Sequence, residues 1–125
     1  MCLLGRVARW DETRIVCHAA APTADHPFAG AQGVPVVASV EYAAQAAALH
    51  GALLDGNREP RDGMLATLSE VELTVGSLDQ GSSELTVQAE LIVRGVSGCT
   101  YSFTVHDARG CRARGRLLVA FTNDR

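Results

Sequence analysis

Lysine is missing from these 125 residues; all eleven basic side chains are arginine. Set beside the many alanines, so complete an absence reads as a coding bias of the source genome. Arginines selected for bidentate phosphate contacts would not remove lysine everywhere. Cysteine is sparse, at Cys2, Cys17, Cys99 and Cys111. No pair of them has metal-ligand or redox-motif spacing, so no metal is expected. A membrane-length apolar run is also lacking. The stretch from Ala43 to Leu54 is too short to cross a bilayer, and His50 and Gly51 interrupt it. No secretory leader is expected, because Met1 to Val7 lacks a long apolar segment and Trp10-Asp11-Glu12 follows at once. A reduced, cytoplasmic setting is the default for such a chain. Charge of one sign does not dominate: a net −3 gives no reason to expect nucleic acid or an anionic membrane as partner. Internal repeats, low-complexity tracts and linkers are not found.

What is present is the composition of an ordinary globular protein, 47% apolar and 20% charged. Its length suits one domain over residues 1–125 and one core. Cys2 to Val7 and Arg14 to Ala19 are β-rich runs, with Asp11-Glu12 a natural turn between them. Ala21 to Pro35 contains three prolines, two glycines and His26, and cannot be regular structure. A helix is predicted from about Val37 to Leu54, with Ser39 as N-cap; its alanines and leucines are strong helix formers. It is apolar nearly all round and should be buried on most faces. Asp55-Gly56-Asn57 ends it, and Pro60 prevents resumption. Four extended runs follow, at Met64 to Leu78, Glu84 to Arg94, Cys99 to His106 and Arg112 to Phe121. The turns between them are Asp79-Gln80-Gly81-Ser82, Gly95-Val96-Ser97-Gly98 and Asp107-Ala108-Arg109-Gly110. Alternation from Glu84 to Leu91 marks a sheet with one buried face. The expected class is α+β, a curved antiparallel sheet of about six strands around one long central helix. Such a sheet has open edges, and a two-fold dimer joined edge to edge would remove one.

Two titratable residues stand out. Glu41 lies in the first turn of a helix otherwise built from apolar side chains. The helix dipole favours its carboxylate there. Burial beside Val40, Tyr42, Ala43 and Ala44 would instead favour the neutral acid, the form that can give up a proton. A loop histidine alone is more often a surface residue than a catalyst. The case for His26 rests on its tether at Pro27, in a loop leading into the helix that carries Glu41. Gly30 and Gly33 let the backbone approach a ligand closely. The helix start, at Ser39 and Val40, offers amide donors to a thioester carbonyl.

The stretch His26-Pro-Phe-Ala-Gly, then Val34-Pro-Val-Val-Ala-Ser-Val-Glu-Tyr-Ala-Ala-Gln, resembles the active-site region of the hot-dog-fold 3-hydroxyacyl-[acyl carrier protein] dehydratases. It is most similar to their relatives in aryl-polyene-type biosynthesis, and the opening Met1-Cys-Leu-Leu-Gly-Arg-Val is similar to that group too. The resemblance implies a hot-dog fold and removal of water from 3-hydroxyacyl thioesters, in fatty-acid or polyene-like biosynthesis, with no cofactor. It implies that His26 takes the proton α to the thioester carbonyl, and that Glu41, directly or through a water, helps the β-hydroxyl leave. It further implies a dimer, because family structures in several cases place the two groups on opposite subunits. Here the family's usual His-Phe-Pro order is His-Pro-Phe, and Val-Ala-Ser stands where Pro-Gly normally opens the helix.

Gln45 falls one turn after Glu41 on the same helix face. It either holds the Glu41 carboxyl, as the family's glutamine suggests, or bonds within a dimer interface. His50 points to roughly the opposite side of the helix and reads as structural. His18 and His106, at strand ends, read as surface or turn residues. Arg112, Arg114 and Arg116 alternate along the last strand and are expected to face one way. They form a solvated sheet face or a basic strip for an acidic acyl carrier protein and its phosphopantetheine phosphate. Arg58 and Arg61 are equal candidates. The alanines at 43, 44, 46, 47 and 48 make room for an acyl tunnel or permit close helix packing. Two alternatives stand beside the dehydratase. One is a hot-dog thioesterase using the helix carboxylate without the loop histidine. The other is a non-catalytic partner subunit of a hot-dog dehydratase.

Overall fold

Asp11 closes the first turn. In the computed structural model, which describes residues 3–23, 25–31, 33–56, 63–78, 84–95 and 98–121, its carboxylate accepts from the Thr13 amide (2.9 Å), the Thr13 hydroxyl (3.1 Å) and the Arg14 amide (2.9 Å). These donors, the Thr13 amide foremost, hold the Asp11 carboxyl below its ordinary value. The turn joins β1 (Arg6–Trp10) to β2 (Arg14–Ala19). β1 begins later than the sequence suggests, because Leu3 and Leu4 leave the ladder to pack against the core.

The helix α1 runs Ser39–Leu54 behind a 3-10 turn at Val36–Ala38. Ser39 is therefore not the N-cap. Pro35, fixed at φ −66°, starts the tighter turn, and Ser39 already has helical dihedrals with no capping bond from its side chain. Ten of the sixteen helix residues are buried, which leaves little room for a polar face. Alanines at 43, 46 and 47 are fully buried and let the backbone come close to the sheet.

β3 (Gly63–Leu73), β4 (Leu85–Arg94), β5 (Gly98–Asp107) and β6 (Gly110–Phe121) complete one antiparallel sheet in the order β1-β2-β4-β5-β6-β3. Burial alternates along β4 and β5, so Val87, Ala89, Tyr101, Phe103 and Val105 line the face against α1. A curved sheet clasping one long helix is the hot-dog architecture the sequence led us to expect. β3 ends at Leu73 rather than continuing to Leu78. Midway along it, Glu70 takes φ +54° in a bulge that puts Val71 against Gly115. A Cβ on Gly115 would lie 3.0 Å from the Val71 Cα, so any side chain there would have to push the Val71 backbone aside. The anticipated turn at 79–82, and Arg58 and Arg61, lie outside the described residues.

The two sheet edges differ. β1 is five residues long, is bulged between Val7 and Arg9, and carries exposed Arg6 and Arg9. β3 is eleven residues long and exposes Leu68 and Leu73, followed by Val75 at 94% exposure. Both edges are bulged and charged, with Glu70 and Glu72 exposed on β3, so greater length and the exposed leucines are what make β3 the better template for pairing.

His50, fully buried, ties the first turn to the core. Its Nε2 donates to the Asp11 carbonyl at 2.7 Å, so Nδ1 must accept from the Tyr101 hydroxyl, also at 2.7 Å. Burial pushes the Tyr101 phenol well above 10.0, which keeps that donor protonated. Tyr101→Phe is expected to cost about 1–3 kcal/mol by stranding the imidazole acceptor. Urea unfolding of the variant against the parent reads this directly, and an unchanged midpoint would contradict it.

Candidate active site

The loop before α1 is a series of turns. The His26 amide donates to the Thr23 carbonyl (3.0 Å) and the Ala29 amide to the His26 carbonyl (2.9 Å). This winding aims the His26 ring at the first turn of the helix. Nε2 lies 3.0 Å from the Tyr42 hydroxyl, with the two rings 5.8 Å apart and tilted 30°. On the other side, Nδ1 accepts from the Phe28 amide at 3.0 Å. An amide N–H can only donate, so a neutral ring carries its proton on Nε2 and gives it to the Tyr42 oxygen. Tyr42 is 2% exposed, and burial pushes its phenol above 10.0, so it remains a hydroxyl through neutral pH.

Glu41 is half-buried in the first turn of α1. Its Oε2 accepts from Gln45 Nε2 at 3.1 Å, while Gln45 Oε1 accepts from the Leu3 amide at 2.7 Å. The backbone donor at Leu3 fixes which way the Gln45 amide points, and that turns its nitrogen toward the carboxyl. Thus His26–Tyr42 and Gln45–Glu41 are two bonded pairs sharing one helical turn. Gln45 does hold Glu41.

Between the His26 loop and the helix, Gly33 takes φ +93°, which glycine adopts without strain. Its amide donates to the Gly30 carbonyl (3.1 Å) and receives the Gly30 amide on its own carbonyl (2.9 Å). Beside this tight pair runs an open groove of about 550 Å³, walled by Phe28, Gly30, Gly33, Pro35, Gly76 and Ser77. The helix start differs from expectation. The Ser39 amide is engaged with the carbonyls of Val36 and Val37, so the 3-10 turn consumes a donor the sequence left open for substrate. The Ser39 hydroxyl is fully buried without a partner among the described residues. Val40 is buried one residue further on.

The three arginines of β6 do not face one way. A bulge opposite Val105 and His106 re-aims Arg112 inward, where it is 3% exposed and bonded to Asp107, Thr74 and Ser77. Arg114 and Arg116 are exposed and lie against Glu72 (2.9 Å) and Glu70 (4.0 Å). His50 is structural, as read from the sequence. His18 is half-buried near Glu84 and Thr86, and His106 is exposed. Sequence reasoning missed Tyr42 as a partner of His26. The available signal was that a buried tyrosine needs a bond for its hydroxyl, and His26 was the polar group in the adjoining loop.

A family model described as ApeP-like, ApeP dehydratase, matches residues 1–124. No curated protein matches the sequence. Among solved structures, the chain resembles the dehydratase heterocomplex ApeI:P from Xenorhabdus doucetiae at TM-score 0.80 and 21% identity, covering 98% of this chain and 84% of that one. It also resembles AziG from S. sahachiroi (TM-score 0.61, 24% identity, 94% and 90% covered). A variant of a thioesterase from Staphylococcus aureus subsp. aureus Mu50 is similar as well (TM-score 0.66, 18% identity, 94% and 92% covered). At these identities the structures speak for the fold alone.

Proposed function

Because the chain belongs to the ApeP-like dehydratase family, we propose that it converts 3-hydroxyacyl thioesters, held on an acyl carrier protein or coenzyme A, to trans-2-enoyl thioesters, with His26 and Glu41 as its catalytic pair. The observation that carries this reading is the docking of the His26 ring at Tyr42, the neighbour of Glu41. That bond holds His26 at the residue next to Glu41 in the chain, and a groove walled by Phe28, Gly30 and Gly33 adjoins the His26 loop. His26 accepts the proton α to the thioester carbonyl. Electron density moves into the Cα–Cβ bond, and the β-hydroxyl leaves as water with a proton from Glu41, directly or through a bound water. For the ring to act as a base, a nitrogen must come free. Either the Phe28 amide releases Nδ1 to face substrate, or the ring leaves both the Phe28 amide and Tyr42, carries its proton on Nδ1 and presents Nε2.

The charge growing on the thioester oxygen needs donors. The buried Ser39 hydroxyl, without a partner among the described residues, supports a place for Ser39 at this end of the substrate, since an orphaned buried polar group calls for a ligand. Val40 and Gly33 complete the proposed substrate contacts, and Gln45 keeps Glu41 aimed. For the carrier, Arg114 and Arg116 remain exposed candidates, whose glutamate partners an acidic carrier would have to displace. The β3 edge, eleven residues long and exposing Leu68 and Leu73, supports pairing with a second hot-dog subunit.

One observation favours a second reading. The 3-10 turn occupies the Ser39 amide, which suits a subunit that completes a partner's site rather than its own. Hydration and dehydration of a 3-hydroxyacyl/enoyl thioester pair, followed at the enoyl absorbance, separates the two. Turnover by the pure chain is expected. Inactivity alone, with activity restored on adding another hot-dog subunit, would assign the chain the partner role. Release of free thiol without enoyl product would instead indicate a thioesterase.

A further inference from the structure

We infer that Arg112 is a positioning residue: paired with Asp107, it clamps the turn at 74–77 and so fixes the His26 loop relative to the helix that carries Glu41. The inference rests on the proposed roles of His26 and Glu41. It starts from a buried guanidinium that nothing in the reaction uses. Arg112 and Asp107 have side chains only 3% and 1% exposed, with Nη1 2.6 Å from Asp107 Oδ2. Nε donates to the Thr74 hydroxyl at 2.9 Å and Nη2 to the Ser77 carbonyl at 3.1 Å. Each of the three nitrogens makes a bond. A buried ion pair adds little net stability over apolar residues of the same volume, because desolvation offsets the attraction. What this pair supplies is geometry. The rigid fork of arginine takes hold of both ends of one turn, Thr74 and Ser77, and leaves Val75 and Gly76 protruding.

That turn is the second wall of the groove and the brace of the first. Ser77 bridges to Pro35, and the Leu78 amide donates to the Val34 carbonyl at 2.8 Å. Pro35 in turn accepts the Ala38 amide at 3.0 Å and so begins the 3-10 turn that feeds α1 and Glu41. In the other direction, Val34 follows the Gly30–Gly33 pair, and that pair follows Phe28, whose amide holds His26 Nδ1. The clamp therefore presses on the middle of the stretch that runs from the base to the acid. Displacements of an ångström between such groups cost large factors in rate.

The test compares the parent with Arg112→Met/Asp107→Leu, which removes both charges and strands neither, and with Arg112→Lys, which keeps the charge and loses the fork. Each full chain, with whatever subunit its activity requires, is assayed for dehydration and followed by hydrogen exchange. The double variant is expected to unfold cooperatively, with kcat lower by about tenfold or more and KM within about twofold. The Leu78 and Gly33 amides should exchange about tenfold faster, while those of β4 keep the parent rate. Arg112→Lys should fall between. A folded double variant with parental kcat and parental Leu78 exchange would overturn the inference, as would lowered kcat with unchanged exchange. If the double variant does not fold, parental kcat and exchange in Arg112→Lys overturn it equally. Should the parent show no dehydration, the functional reading fails, and Leu78 exchange still decides the clamp.

Discussion

His26→Ala is expected to lower kcat/KM for dehydration by about 10³-fold, within the range a positioned general base contributes. The residue sits in a turn-rich loop with its ring half-exposed, so its removal opens no core cavity. What is lost is the acceptor for the α-proton. Tyr42, left without its imidazole partner, cannot stand in, because burial pushes its phenol above 10.0 and keeps it protonated through neutral pH. Tyr42→Phe removes the other half of the same hydrogen bond and should cost much less, since it disturbs the aim of the ring and not the base itself. Steady-state rates for the two variants, with circular dichroism to confirm folding, check the expectation. Parental turnover in His26→Ala would remove the imidazole from the mechanism.

Glu41→Gln should be nearly as damaging, at about 10²–10³-fold in kcat. The substitution is a narrow one. A glutamine oxygen at 41 still accepts from Gln45 Nε2, so the chain of bonds from Leu3 through Gln45 survives with its present lengths of 2.7 and 3.1 Å. The missing property is a proton that can follow the departing hydroxyl. Glu41→Asp keeps the proton but withdraws it by one methylene, and should lose intermediate activity through misplacement. Equal rates for parent and Glu41→Gln would mean that another group, or water, serves as the acid.

Much of the fold was legible because the signals were local. Arg14 to Ala19 is a strand at the limits read from its β-rich run, and the alternation from Glu84 to Leu91 put the correct face of β4 inward. The helix was legible from its alanines. Its first turn was not, because Pro35 imposes a 3-10 start that helix propensity does not register, and Ser39 loses its cap role for that reason. Arg112 illustrates a different failure. Strict alternation puts it on the face of Arg114 and Arg116, but one extra residue at the hairpin flips it, and a bulge is a property of pairing between strands. His26, Glu41 and Gln45 were legible as candidates from residue type, spacing and resemblance. The Tyr42 contact had only a buried hydroxyl in need of a partner to announce it, and the brace through Ser77 had nothing, since both join segments distant in sequence.

The unlike margins of the sheet set how many copies can join. A protein with adhesive strands on both sides could recruit neighbours without end and grow into a fibre. Here the β1 side is five residues long, kinked and lined by exposed guanidinium groups, all of which disfavour a neighbour there. Were two β3 margins to pair, as proposed above, both would be spent and growth would stop there.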